Sequence, residues 1–358
     1  MALDVKSVSS QIDRESDWKK LVKPYQTADA RKGIWQLVTS FGLFFIGWIL
    51  AYLSLSVSYW LTLIIAIPTA GCLVRIFIIQ HDCGHGSFFN NRKWNDRVGK
   101  ICGIFTLVPY YQWRKSHAIH HANSGKLGDL RGVGDIYTMT VDEYFHASKW
   151  RQFGYRAFRN TFFLIGLVPF FFFVFGYRFS DKLTKGQGWG KERQSVYMTN
   201  LGILIVAGLA IWAVGLKSFL LVQIPLTYVA TTAGVWFFFV QHQYEDAYWA
   251  KDEDWSYVDA ALKGSSYYKL PRVLQWFSGN IGFHHIHHLS PRIPNYKLED
   301  TYNADALFQD VNELTLRSSF GTLSLGLWDE DEQRLITFRE AHARYEAGDA
   351  AAVEEHGD

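Results

Sequence analysis

Three stretches of histidine have a spacing that chemistry can use. Phe283-His284-His285-Ile286-His287-His288-Leu289 places four of the thirteen histidines within five residues. On a helix, His284, His287 and His288 stand at i, i+3 and i+4, which is one face. His117, His120 and His121 repeat that trio, and His81 and His85 form an i, i+4 pair. A lone HxxxH arises by chance on surface helices. One HxxHH could serve zinc or copper, because imidazole suits several metals. Two trios and a pair in one chain are hard to read as solvated surface. Eight neutral imidazoles also exceed the four ligands of a tetrahedral zinc. The count points to two metal ions, a known catalytic device.

The elements that must position these histidines are apolar. Hydrophobic residues make up 49% of the chain and aromatics 17%, far more aromatic than an average soluble domain. The formal charge of +2 gives no reason to expect a nucleic-acid partner. Three cysteines, Cys72, Cys83 and Cys102, are too few for a disulfide framework. Cys83 lies inside the first histidine cluster, which places that cluster on the reducing side of a membrane. Asp13, Glu15 and Asp17 interrupt the first residues, so neither a secretory signal nor a transit peptide is expected.

Four uncharged runs read as spans: Ile34–Leu53, Tyr59–Val74 extended to Gln80, Val196–Leu216 and Phe219–Val240. Arg75 is expected to mark the exit of the second span, with its helix running on into water to deliver His81. Lys217 and Ser218 are expected to form the turn between the last two spans. The lysine-rich N-terminus puts both chain ends in the cytoplasm. Ile101–Tyr111 is too short to cross and is read as interfacial or buried. Thr161–Tyr177 is apolar but precedes the basic stretch Arg178, Lys182, Lys185, Lys191 and Arg193, and basic loops stay cytoplasmic. If the second and third clusters share metals, an even number of crossings separates them. Thr161–Tyr177 is therefore expected to be re-entrant or surface-lying.

The fold class expected is an all-α integral membrane protein of about four spans under a cytosolic helical cap. Residues 1–33 would be a cytosolic N-terminal segment, 34–295 the membrane domain, and 296–358 a C-terminal part of the same cap, built of short helices ending in an acidic tail.

The wording around the histidines adds a resemblance. HDCGHGSFF at 81–89, HAIHH at 117–121 with GVGDIYTMTVDEY ending at 144, FVQHQYED at 239–246 and FHHIHHLSPRIPNY at 283–296 resemble the membrane fatty acid desaturases, over roughly residues 34–330. The likeness is to the bacterial and cyanobacterial acyl-lipid branch with omega-6 (delta-12) enzymes. It implies two non-haem irons, molecular oxygen, two electrons from a separate ferredoxin or small cytochrome, and a cis double bond made in a membrane-lipid acyl chain, oleoyl to linoleoyl. It implies as iron ligands His81, His85, His117, His120, His121, His284, His287 and His288. It also implies His242, which as a lone histidine at a helix end would otherwise be read as a cap or packing residue. His285 faces away and is read as a supporting residue behind the ligands. His146, His342 and His356 have no partners in sequence and are read as surface. Arg92, Lys93, Arg97, Arg114 and Lys115 are candidates for a donor-docking face. The implied location is a bacterial inner membrane with the site facing the cytoplasm.

Other regiochemistries, omega-3 or delta-9, share these motifs. A hydroxylase or ketolase of the same histidine-rich superfamily is a rival that the FHHIHHLSPRIPNY wording disfavours. A metal transporter would need polar residues within the spans, and apart from Arg75 they carry no charge.

Overall fold

The computed structural model describes residues 18–180 and 189–355, with no side-chain description beyond 346. Asp13, Glu15, Asp17, Lys182, Lys185 and His356 lie outside the described residues. Among the described residues, four helices are long and apolar enough to cross a membrane: α1 (Ala30–Ser54), α2 (Tyr59–His85), α6 (Gly190–Val214) and α7 (Leu216–His242). Between them lie α3 (Arg92–Phe105), α4 (Tyr110–Asn123) and α5 (Lys149–Arg159), and after them α8 (His284–Leu289) and α9 (Phe338–Glu355).

Local chemistry sets the ends of these helices. The Asp29 carboxylate accepts from the Arg31 and Lys32 amides and caps α1. Gly86, at φ +77, closes α2 just after His85, in a left-handed conformation that costs glycine little. Gly215, at φ +80, is the whole break between α6 and α7. The expected turn at Lys217 and Ser218 is therefore displaced. Those two residues lie in the first turn of α7, because glycine alone takes the required backbone without strain.

Small residues let the helices approach closely, as apolar spans in lipid require. A Cβ on Gly47 would come within 2.3 Å of Thr69 Oγ1, so α1 and α2 touch along that seam. Ala66, Ala70 and Leu73 of α2 share one core with Leu226 and Ala230 of α7. The second span does not run into water after Arg75. Residues 76–84 are almost all buried, and the guanidinium lies 4.2 Å from the Trp276 ring while donating to the Trp276 carbonyl. An indole and a carbonyl thus replace the solvent that the sequence reading assigned to this charge.

The Ile101–Tyr111 stretch is the corner between α3 and α4. Gly99 allows it: a Cβ there would strike the buried Tyr110 ring at 2.2 Å. The Thr161–Tyr177 stretch is a π-helical turn, Phe162–Leu167, running into a helix, Val168–Val174, and it is bent 54° from α5. Exposed Phe162, Phe163, Phe171 and Phe172 face outward, while Leu164 and Ile165 pack against Phe239 and Val240 of α7.

The cap is mainly helical but also carries strands where short helices were expected. β1 (Met139–Thr140) pairs in parallel with β4 (Leu325–Asp329), which pairs antiparallel with β5 (Arg334–Thr337). β2 (Tyr267–Lys269) pairs in parallel with β3 (Glu313–Thr315). The stretch LGLWD buries four of its five residues, so it reads as a fully covered strand rather than an amphipathic helix. The buried Arg159 ties these layers together, donating to Gln243 Oε1 and to the Leu325 carbonyl.

Candidate metal centre

The ends of α2 and α7, the C-terminal half of α4 and the whole of α8 meet under the cap. α2 brings His81 and His85, α4 brings His117, His120 and His121, α7 ends on His242, and α8 is built of His284, His287 and His288 with His285 behind. The nine histidines named as ligands from sequence fall into two groups. His81, His85, His117, His121 and His287 form one, and His120, His242, His284 and His288 the other. Within each group the ligand nitrogens lie within 4.8 Å of one another.

The trios do not act as single faces. The i, i+4 pair of α4, His117 and His121, goes to the first group and His120 to the second. The i, i+4 pair of α8, His284 and His288, goes to the second group and His287 to the first. At ~100° per residue, i+4 lies about 40° to one side of i and i+3 about 60° to the other. A pair can converge on one point while the third ring aims at its neighbour. The groups adjoin: His121 and His288 stack with centroids 4.2 Å apart.

The inward nitrogens fit cations. His121 Nε2 lies 3.1 Å from His117 Nε2 and 3.0 Å from His287 Nε2, and His242 Nε2 lies 3.0 Å from His284 Nε2. A neutral imidazole has one N–H, so rings meeting Nε2 to Nε2 cannot all satisfy one another. Several outer nitrogens already have acceptors. His81 Nδ1 donates to Asp82 Oδ1 at 3.0 Å and His242 Nδ1 to the Gly264 carbonyl at 3.0 Å. His120 Nδ1 lies 3.4 Å from Asp135 Oδ2. An Nδ1–H held outward leaves the Nε2 lone pair facing in, as a metal ligand needs. Burial, and then the neighbouring imidazoles, push His117, His121, His284, His287 and His288 well below the ordinary histidine range, so all five are neutral at pH 7.

The two carboxylates behind the rings were not singled out from the sequence, although both stand in its motif wording. Asp82 Oδ2 accepts from the Asn295 amide at 2.6 Å and from Asn295 Nδ2 at 2.8 Å, linking the first histidine pair to the stretch after α8. Burial raises the Asp135 carboxyl, but His120, His242 and the Ile136 N–H together outweigh it and hold the group below its usual range. His285 belongs to neither group. Its Nε2 donates to the Phe308 carbonyl, and burial pushes it down to about 4. His146 is exposed beside Asp142, as expected for a surface residue. His342 is half-buried against Tyr144 and Phe145 rather than on open surface.

Of the five basic residues proposed for docking, Arg92, Arg114 and Lys115 line one cavity together with Lys191, while Lys93 and Arg97 do not line it.

Apolar spans carrying two adjoining groups of mostly buried imidazoles define an integral membrane protein with two groups of side chains that could each hold a metal ion. The family is equally plain: the fatty acid desaturase model matches residues 54–313, and the chain belongs to that family. It is similar to a fatty acid desaturase of Bacillus subtilis, 46% identical over 91% of each chain. It is 28% identical to an sn-1 oleoyl-lipid 12-desaturase of Anabaena variabilis, over 71% of this chain and 72% of that one. It is 29% identical to an sn-2 acyl-lipid omega-3 desaturase (ferredoxin), chloroplastic, of Helianthus annuus, over 64% of this chain and 52% of that one. The chain is a desaturase, an oxidoreductase acting on lipid acyl substrates.

Proposed function

We propose that this desaturase puts a second cis double bond into an oleoyl chain of an intact membrane lipid, at the delta-12 position, using two irons and a separate electron donor. The observation that carries the two-iron part is the division of nine imidazoles into groups of five and four. His81, His85, His117, His121 and His287 would hold one iron, and His120, His242, His284 and His288 the other. Bound iron would supply activation of molecular oxygen strong enough to take hydrogen from an unactivated methylene, which no side-chain acid or base can do.

The chain's own residues do the rest. Asp82, Asp135 and the Gly264 carbonyl set ring orientation from behind. The cap covers the rings, nearly all of which are buried, and this keeps bulk water from the reacting carbon. The histidines at the ends of α2 and α7 sit just beyond apolar spans, which suits a substrate that arrives from the bilayer. Their meeting at one end also supports a site on the cytoplasmic side of a bacterial inner membrane, given the basic N-terminal stretch and the basic residues Arg178, Lys191 and Arg193.

The position rests on likeness to relatives named as oleoyl-lipid 12-desaturases; the relative at 46% identity is named without a position. A second reading, omega-3, is favoured by relatives such as the sunflower protein, whose name also supports ferredoxin as the donor. The test is expression in a host that makes oleoyl but not linoleoyl lipids, with a ferredoxin supplied. Gas chromatography should show a new eighteen-carbon diene. A new double bond in saturated chains would discard delta-12 and keep the desaturase. A hydroxylated product would move the chain to the hydroxylases.

A further inference from the structure

We infer that α5 docks on the leaflet beneath the cap, with its outer face sunk among the headgroups and its cations on anionic lipid. The helix is inside out for water. Gln152, Tyr155 and Arg159 are buried against the cap, while Trp150 is 84% exposed and Phe153 66%. A helix facing water would turn these residue types the other way. At ~100° per residue, Trp150, Phe153, Gly154, Ala157 and Phe158 fall within an arc of about 140°. Lys149 and Arg156 border that arc on one side and Arg151 on the other, and all three are exposed. An apolar face edged by cations is the pattern of helices that lie in a membrane interface.

The surroundings say what covers this face. Just past α5, after a bend of 54°, the exposed Phe162 and Phe163 carry the apolar surface onward. They belong to the segment that packs on α7, a span. The outer face of α5 is therefore continuous with surface that lies in lipid. Charge narrows the kind of lipid. α5 holds four basic residues and no acidic one, and each Lys or Arg near an anionic leaflet strengthens binding to it. A second copy of the chain seated face to face would set six exposed cations against one another.

The inner face carries the contact inward. Arg159 Nη2 donates to Gln243 Oε1 at 2.9 Å, and Gln243 follows His242. Tyr155 Oη accepts from the Met139 amide at 3.0 Å and donates to the Gly326 carbonyl at 2.6 Å. Docking α5 thus fixes the height of the cap, and of the residue next to the second imidazole group, above the leaflet.

The experiment places the full chain in lipid nanodiscs with a bimane label at Gly154→Cys or Ala157→Cys. Both positions lie on the outer face and keep the aromatic anchors. Cys72, Cys83 and Cys102 are buried, so the label goes to the new thiol. Asp252→Cys is the solvent reference: its side chain is 70% exposed, in an acidic run that an anionic leaflet repels. The discs hold phosphatidylcholine and phosphatidylglycerol in equal parts, one or the other brominated near the start of its acyl chains. Iodide in the water should quench the label at 252 and be several-fold weaker at 154 and 157. Brominated lipid should do the reverse. Brominated phosphatidylglycerol should quench 154 and 157 at least about twice as strongly as brominated phosphatidylcholine. Lys149→Gln, Arg151→Gln and Arg156→Gln together should bring the two lipids level, at an unchanged melting temperature. Salt at ~1 M should do the same to the chain with its cations intact. Iodide reaching 154 and 157 as freely as 252 would overturn the docking. Equal quenching by the two lipids at low salt would overturn the anionic assignment. Shielding from iodide without quenching by either lipid would give the face to a protein and overturn the inference as a whole; cross-linking between chains through Ala157→Cys would identify that protein as a second copy.

Discussion

At the scale of single residues, what a ring does depends on what stands behind it. His242 and His285 are both buried, yet only His242 turns its Nε2 to other imidazoles. His242→Ala should therefore lower bound iron and abolish activity. His285→Ala should leave iron largely in place and instead cost about 1–3 kcal/mol, because the Phe308 carbonyl loses its donor. Metal analysis with thermal denaturation separates the two, and an iron-poor His285→Ala beside an iron-replete His242→Ala would reverse the assignment. Asp82→Asn and Asp135→Asn keep the shape of the side chain but remove the anion facing a ring N–H. Each should weaken iron binding by ~10–100-fold, read by competition with a chelator. All nine inward-facing rings could be named from spacing and wording. How the trios divide could not, because spacing gives a helical face and not the point each ring aims at. Asp82 and Asp135 were missed for a related reason: beside so many histidines an acid looks like an ordinary polar neighbour until Asn295 and His120 are seen against it.

At the scale of elements, charge-free runs located the four spans to within a few residues, because length and apolarity decide that question. Their junctions depend on backbone instead. Gly215 made the α6–α7 turn where two polar residues had seemed the better break. The strands β4 and β5 were illegible as strands because their partners, β1 and each other, are set by tertiary pairing. The bent Phe162–Val174 segment answers the parity question by its consequence. With α4 and α8 supplying the same two imidazole groups, and α6 and α7 both crossing, that segment must return to the side it left. Reporters placed after Ser180 and at Gly215 should then report opposite sides of the membrane; agreement between them would sink the four-span topology. Gly99 is a second test at this scale. Gly99→Ala drives a methyl into the Tyr110 ring and should destabilise the α3–α4 corner by about 1–3 kcal/mol, seen as a lower melting temperature in detergent.

At the scale of the whole molecule, the metal site is where membrane part and cap are fastened together. Asp82 on α2 holds Asn295 beyond α8, and Gln241 at the end of α7 donates to the Ile281 carbonyl. Removing iron should therefore loosen the cap as well as silence the enzyme: a ligand bound only by the folded state lends it stability in proportion to its affinity. Stripping with a chelator should lower the melting temperature and expose the cap to protease before the spans. The shared helices carry a further consequence. Because α4 and α8 each serve both imidazole groups, ordering them around a first ion prepares the second cavity at no extra conformational cost. Iron titrated into stripped protein should then load cooperatively. At half-saturation the population should be a mixture of empty and doubly filled chains, with singly filled chains scarce.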